Sequence, residues 1–265
     1  MNDSLRVIRA DNPGPLTLDG TRTYVVGRTH VAVIDPGPAD ALHLEAIERA
    51  VDDAVTEAVC LTHAHPDHSA AAAELAARLG APIAASPETL GRIGLEGREL
   101  SDGDEIQVDD GETSLLALAT PGHAADHLCY LWLPGRELFT GDLVLGRGTS
   151  VVTWPDGQVG SYLASLARLL TLRPSVLWPG HGDAVTEPLE RLREYRAHRL
   201  VRGSQIRDAV LRGGARTLDE IRLAVYGSLP PGLDRAAELS ILAHLEHLRE
   251  TGTELPRGTG NPPAS

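Results

Sequence analysis

Thr62-His63-Ala64-His65-Pro66-Asp67-His68 places three histidines and an aspartate within six residues. The run follows the apolar Ala58-Val59-Cys60-Leu61 and precedes an alanine-rich stretch over residues 70–79. It reads as strand, tight loop and helix start. A loop held between two rigid elements can aim several side chains at one point. Imidazole nitrogen and carboxylate oxygen are the ligand atoms that Zn²⁺ takes when no thiolate is offered. A lone histidine is more often a surface or core residue, and eleven in 265 residues prove little. Four ligand-type residues as H-x-H-x-D-H directly after a strand do not arise readily by chance. The run supplies four ligands, and a two-metal hydrolytic site needs more, so further His and Asp should stand at later strand ends.

They do. Thr120-Pro121-Gly122-His123 follows a strand over 113–119, Thr140-Gly141-Asp142 follows one over 137–140, and Pro179-Gly180-His181-Gly182 follows one over 175–178. Each carries a Gly that lets the backbone turn sharply before the next side chain. His123 or His181 alone would more often be structural, and Asp142 alone a turn residue. With the histidine run they make seven ligands at four strand ends, enough for two metals sharing one carboxylate.

The rest of the chain bounds this reading. Its length allows one large domain, or one domain and a small one. The apolar fraction is 42% but the aromatic fraction only 3%, so Leu, Val, Ala and Ile must fill the core. All 24 basic residues are Arg, and the net charge is −13. An acidic chain disfavours non-specific binding to nucleic acid or anionic membrane. Cys60 and Cys129 lie in apolar runs and read as buried free thiols. Residues 1–10 hold no apolar signal core, and no apolar run reaches about 18 residues. The expectation is a cytoplasmic protein with no membrane partner.

Strands are expected over 22–26 and 30–35, a helix over 39–51, the strand at Ala58, a helix over 70–79 and a short strand over 83–85. Residues 86–104 read as a Gly-rich, charged loop with one helical turn near Glu88. Strands follow over 105–108, 113–119, 127–133 and 137–140, then an amphipathic helix over 161–172 and the strand over 175–178. After residue 186 strand signals almost vanish. Helices are expected over 189–212, over 217–226 with Thr217 and Glu220 as a capping box, and over 236–249; residues 252–265 read as a frayed end. The division this suggests is a catalytic domain over 1–186 and a helical domain over 187–265.

The ordered set H-x-H-x-D-H, P-G-H, G-D and P-G-H-G resembles the metallo-β-lactamase superfamily over roughly residues 20–185. Thr23-Tyr24-Val25-Val26-Gly27 before Ile34-Asp35-Pro36-Gly37 is similar too. The resemblance implies an α/β protein: a four-layer αββα sandwich with the site at the sheet edges and a small, mostly helical C-terminal domain. It implies that His63, His65 and His123 hold a first zinc, that Asp67, His68 and His181 hold a second, and that Asp142 bridges. A finer resemblance is to the beta-lactamase-like protein 2 subgroup. It rests on residues 120–127, on Gly141-Asp142-Leu143-Val144-Leu145-Gly146, on Tyr195-Arg196-Ala197-His198-Arg199, and on residues 217–252, which look like that subgroup's small winged-helix-like cap. The Gly pair that commonly follows the histidine loop in the family is Ala70-Ala71 here, still small enough for tight packing.

The cofactors expected are two Zn²⁺ ions, although the same ligands also accept Mn or Fe. Two such ions bring a bridging water toward a neutral pKa and so supply hydroxide for attack on a carbonyl or phosphoryl centre. Asp67 is expected to orient that nucleophile as well as bind metal. His127, four residues past His123, is either a partner of the ligands and proton donor or an exposed histidine at a strand start. Three functions compete. The first is hydrolysis of a small ester or thioester, as in glyoxalase II and related thioesterases, which the acidic balance favours. The second is single-strand endoribonuclease activity, as in the named subgroup and ribonuclease Z. Arg191, Arg193, Arg196, Arg199, Arg202 and Arg207 could then track phosphates, with Arg196 and Arg199 the candidate contacts. The simpler reading of that stripe is a solvated helix face paired with Glu190 and Glu194. The third is a DNA- or partner-binding winged helix, against which Glu238, Glu246 and Glu250 speak.

Overall fold

The computed structural model describes residues 4–260 apart from residue 231. The chain opens with strands β1 (Leu5–Arg9), β2 (Arg22–Val26) and β3 (His30–Ile34). Helix α1 (Ala41–Val51) follows, capped by the Asp40 carboxylate, which accepts the His43 N–H. Its buried residues, His43, Leu44, Ile47 and Val51, recur at helical spacing. Strand β4 (Val55–Cys60) leads into the histidine loop. The end of that run, with Asp67 and His68, lies in the short helix α2 (Pro66–Ser69), and α3 (Ala72–Leu79) follows. Gly80, at φ 62°, ends α3 in the left-handed conformation.

Strand β5 (Ile83–Ala85) precedes a segment that departs from the sequence expectation. Residues 86–104 hold helix α4 (Pro87–Ile93) and strand β6 (Arg98–Glu99). Ser86 caps α4 and Pro87 occupies its first turn. This helix-start signal outweighs the Gly91 that made the stretch read as loop. Strand β1 was likewise not expected. Strands β7 (Glu105–Val108), β8 (Thr113–Ala119), β9 (Leu128–Leu133) and β10 (Glu137–Gly141), helix α5 (Val159–Leu172) and strand β11 (Val176–Pro179) follow. The chain then becomes helical: α6 (Pro188–Leu211), α7 (Leu218–Tyr226) and α8 (Asp234–Glu250). Thr217 and Glu220 form the expected capping box of α7. Of the stretch 252–265, residues 261–265 lie outside the described residues.

Six strands form one sheet in the order β1-β2-β3-β4-β5-β6, and five form a second in the order β11-β10-β9-β8-β7. The first is antiparallel from β1 to β3 and parallel beyond. The second is antiparallel except for the β10–β11 pair. Alternation along the strands decides what packs where. Tyr24, Val26, Ala32, Ile34 and Cys60 face Leu115, Leu128, Tyr130 and Phe139 of the other sheet. Val25, Val31, Val33 and Val59 point the other way, onto Leu44 and Ile47 of α1 and Leu75 of α3. β3 is buried on both sides, which is why it reads as an unbroken apolar run.

By its internal contacts the chain falls into two units. One comprises residues 1–120, 126–149 and 172–189 and holds both sheets; the other comprises 121–125, 150–171 and 190–265. The second is held by Ile206 and Val210 of α6, Leu218 and Ile221 of α7, and Ile241 and Leu245 of α8. Among the described residues no helix is long and apolar enough to cross a membrane.

Candidate metal centre

Three of the candidate loops, together with Asp35 at the end of β3, leave strand ends within the two-sheet unit, and a dense set of hydrogen bonds aims their side chains. Asp35 is the hub. Its Oδ1 accepts the Thr62 N–H at 2.8 Å, and its Oδ2 accepts the Thr62 hydroxyl at 2.8 Å and faces His68 Nδ1 at 2.8 Å. Asp35 is buried, and His68 Nδ1 is therefore the nitrogen that carries a proton. His68 Nε2 is thus the nitrogen that can offer its lone pair to a metal when the ring gives up its second proton. The Thr62 hydroxyl, having given its proton to Asp35, accepts from His63 Nδ1 at 2.9 Å, so His63 Nε2 is likewise a lone-pair donor. From sequence Asp35 entered only as the end of an expected strand and part of the Ile34-Asp35-Pro36-Gly37 resemblance, and Thr62 only as the start of the histidine run, neither with a role at the site. The signal that could have found Asp35 is the one that found Asp142: a carboxylate directly after a strand.

Four of the expected ligands converge. His68 Nε2 and His181 Nε2 face each other at 3.3 Å. Asp142 Oδ1 lies 3.3 Å from each of them, and Asp67 Oδ2 lies 3.2 Å from His181 Nε2. His63 Nε2 and His65 Nδ1 approach to 2.8 Å. Ligand atoms of Asp67, His68 and His181, and of His63, His68 and Asp142, form two groups each spanning less than 4.8 Å. Burial alone would lower the His68 pKa, but the Asp142 and Asp35 carboxylates outweigh it and hold it well above the usual histidine range. Burial alone would raise the Asp67 pKa, and the hydrogen bond from His181 and the charge of His68 bring it below the usual carboxylate range. Two imidazole nitrogens and two carboxylate oxygens this close call for a cation among them; a proton on His68 serves in the metal-free chain, and the same donor set fits a divalent metal in its place.

Two glycines make the approach feasible. A Cβ on Gly180 would lie 2.6 Å from His68 Cε1 and 3.0 Å from Asp142 Oδ1. One on Gly141, at φ +45°, would lie 2.6 Å from the Thr62 hydroxyl and 2.8 Å from His127 Nε2.

The remaining candidates are divided between the two units. His123 belongs by contacts to the helical unit, where its Nδ1 faces the Val151 carbonyl at 2.7 Å. His127 is buried, not exposed at a strand start. Its Nδ1 is 3.0 Å from the Thr120 hydroxyl, and its ring lies 5.1 Å from the His63 ring. Arg196 is exposed on α6. Arg199 is not on the solvated stripe: it is 4% exposed, donates to the Ser150 carbonyl at 2.7 Å and lies over the Tyr162 ring. It shares the buried face of α6 with Leu192, Tyr195, Ile206 and Val210, and that helical spacing was visible in the sequence.

Comparison with known proteins agrees with this picture. Residues 16–181 match the family described as Metallo-beta-lactamase superfamily, and residues 217–253 match the Beta-lactamase associated winged helix domain. The chain is 31% identical to an "Atrochrysone carboxyl ACP thioesterase" of Aspergillus chevalieri, over 88% of this chain and 77% of that one. It is 30% identical to the "Beta-lactamase-like protein 2 homolog" of Caenorhabditis elegans, over 95% of this chain and 86% of that one. The crystal structure of a metallo-beta-lactamase family protein from Thermus thermophilus superposes with a TM-score of 0.77 at 24% identity, covering 94% of each chain, which shows the expected fold. With more than half its length matched by the family and its ligand-type residues gathered at the strand ends, this chain belongs to the metallo-beta-lactamase superfamily, with a winged helix domain of the associated type near its C-terminus.

Proposed function

We propose that this chain is a dinuclear, zinc-dependent hydrolase of a small ester or thioester. The observation that carries the proposal is the convergence of Asp67 Oδ2, His68 Nε2, His181 Nε2 and Asp142 Oδ1 on one point. In this reading Asp67, His68 and His181 would hold one ion and His63, His65 and His123 the other, with Asp142 a ligand beside His68 and His181. When bound, two such ions supply Lewis acidity and a water that deprotonates near neutral pH. The chain's own residues do the rest. Asp35 and Thr62 keep the protons of His68 and His63 on Nδ1. Asp67 stays ionised and keeps 29% of its side chain exposed, which suits it to orient a water proton. His127, buried behind His63, supports that ring.

The thioester class is supported by relatives named as thioesterases: the Aspergillus chevalieri protein and one of Emericella nidulans, 33% identical over 74% of this chain. The net charge of −13 also suits a small substrate better than a polyanion. The test is thiol release from a panel of acyl thioesters by the zinc-loaded protein. Turnover that disappears with a chelator and returns with zinc supports the reading; no turnover on thioesters or simple esters sinks it. The alternative, cleavage of single-stranded RNA, is supported by the exposed Arg193, Arg196 and Arg207 of α6.

A further inference from the structure

Asp126 lies three residues past His123 and next to His127, just before β9 begins. Its side chain is fully buried, yet it carries a charge and no ligand role falls to it. Its Oδ2 accepts two hydrogen bonds, from the Ala64 N–H at 2.9 Å and from the Thr89 hydroxyl at 2.7 Å. Its Oδ1 faces Arg92 Nη1 at 3.2 Å. Its backbone carbonyl accepts the Ser86 hydroxyl at 3.0 Å. Ser86, Thr89 and Arg92 stand at successive three-residue steps along the start of α4, so the helix presents one polar face as a socket for this residue.

Ala64 is the residue between His63 and His65. Its N–H lies in the peptide plane between His63 and Ala64, so holding it sets how the chain leaves His63 and enters the one-residue link to His65. Beside this bond, the Leu128 N–H donates to the Thr62 carbonyl at 2.7 Å, so residues 126–128 run along residues 62–64 and clasp them at two points. A carboxylate is the group that can accept from an amide and a hydroxyl on one oxygen while the other sets its charge against a guanidinium. An amide in its place can keep both bonds on its one oxygen but loses the charge that faces Arg92 and turns an NH2 donor toward that guanidinium.

We propose that Asp126 is a positioning residue for the metal centre: it locks the Ala64 amide and thereby the presentation of His63 and His65, while α4 holds it in place through Thr89 and Arg92. The proposal rests on the metal-centre reading. Asp126→Ala lowers zinc affinity by about tenfold or more, as loss of a partner behind a metal ligand does. Asp126→Asn falls between it and the parent. The visible spectrum of the cobalt-substituted protein shifts in both, and kcat on the best thioester falls while KM holds. Thr89→Val removes one donor without touching the carboxylate and lowers affinity by a few-fold, which keeps the test decisive if the alanine variant does not fold. Zinc affinity is read by competition with a chromophoric chelator, and the metal-free melting temperature is measured beside it. Parent-like zinc affinity and cobalt spectra in the folded variants would overturn the proposal and leave the metal reading standing. A parent that binds neither zinc nor cobalt would overturn the metal reading, and this proposal with it.

Discussion

The hydroxyl of Tyr130 donates to the carbonyl of Leu61 at 2.7 Å. It reaches from β9 of the second sheet to the end of β4 in the first. Tyr24 does the converse: from β2 its hydroxyl donates to the carbonyl of Pro179, the last residue of β11, at 2.6 Å. Each accepting carbonyl lies two residues ahead of a ligand-type histidine, His63 in one case and His181 in the other. Burial raises the pKa of both phenols, which keeps them as donors at any ordinary pH. The two tyrosines thus tie together the sheet ends that carry His63 and His181.

Replacing either tyrosine with Phe leaves a buried carbonyl without its partner at nearly constant volume. We expect a loss of about 1–2 kcal/mol for each, read from urea midpoints of the metal-free protein. Zinc affinity should fall in both variants, because the strand end that carries a ligand is no longer tied. Midpoints equal to the parent's would mean that water replaces the phenol without cost.

Asp142→Ala removes the carboxylate that faces both His68 and His181 at 3.3 Å. Metal content should drop from about two ions per chain toward one. Turnover should fall by more than about 100-fold, beyond the range seen for residues that only support a ligand. Elemental analysis and initial rates on the same preparations check this. Full turnover in the variant would make Asp142 a turn residue.

Much of this site was legible because the signal is local. His63, His65, Asp67 and His68 are consecutive enough to be read together, and Asp142 and His181 announce themselves by following a strand and a Gly. The sheets were legible where strands are buried on one or both faces, as at Val31 to Ile34. What supports the ligands was not legible. Tyr24 finds its acceptor 155 residues away and Tyr130 finds its own 69 residues away, and a buried tyrosine in a strand looks like any core aromatic. Asp126 resembles a turn residue until α4 folds against it. Arg199 was read by its charge when its place on the Leu192–Tyr195–Ile206 face should have decided it.

His244 gives the helical unit an acid-sensitive spot. Burial, and after it the positive charges of Arg199, His247, Arg202 and His198, push its pKa down to about 3. Among the described residues its Nε2 has no hydrogen-bond partner. The unfolded chain titrates it near 6.5, so the fold prefers the neutral ring. That preference is fully present above about pH 6.5 and is lost as the pH falls toward 3, at about 1.4 kcal/mol per pH unit. Between pH 7 and pH 5 the parent should lose about 2 kcal/mol that His244→Leu does not lose. Urea midpoints at the two pH values measure it, and equal losses in both proteins would refute it.

The last prediction separates the two substrate classes. Phosphate contacts release counterions, so RNA binding weakens with salt in proportion to the phosphates neutralised. The geometry of α6 limits that number. Arg199 is buried, Arg191 pairs with Glu194, and Arg202 donates to the Val225 carbonyl and lies over Tyr226. Arg193, Arg196 and Arg207 are exposed on the helix, Arg207 beside Asp208 at 3.6 Å, so three is an upper bound. Three contacts to a single strand give a log–log slope of about −2, too shallow to hold a polyanion on a chain of net charge −13 at physiological salt. We therefore expect KM for a thioester to stay nearly constant between low and high salt. We also expect Arg193→Gln combined with Arg196→Gln to leave thioester turnover within about twofold of the parent, as for exposed residues away from a site. RNA cleavage that falls steeply with salt and collapses in the double variant, in a parent without thioester turnover, would reverse the assignment and make α6 part of a nucleic-acid track.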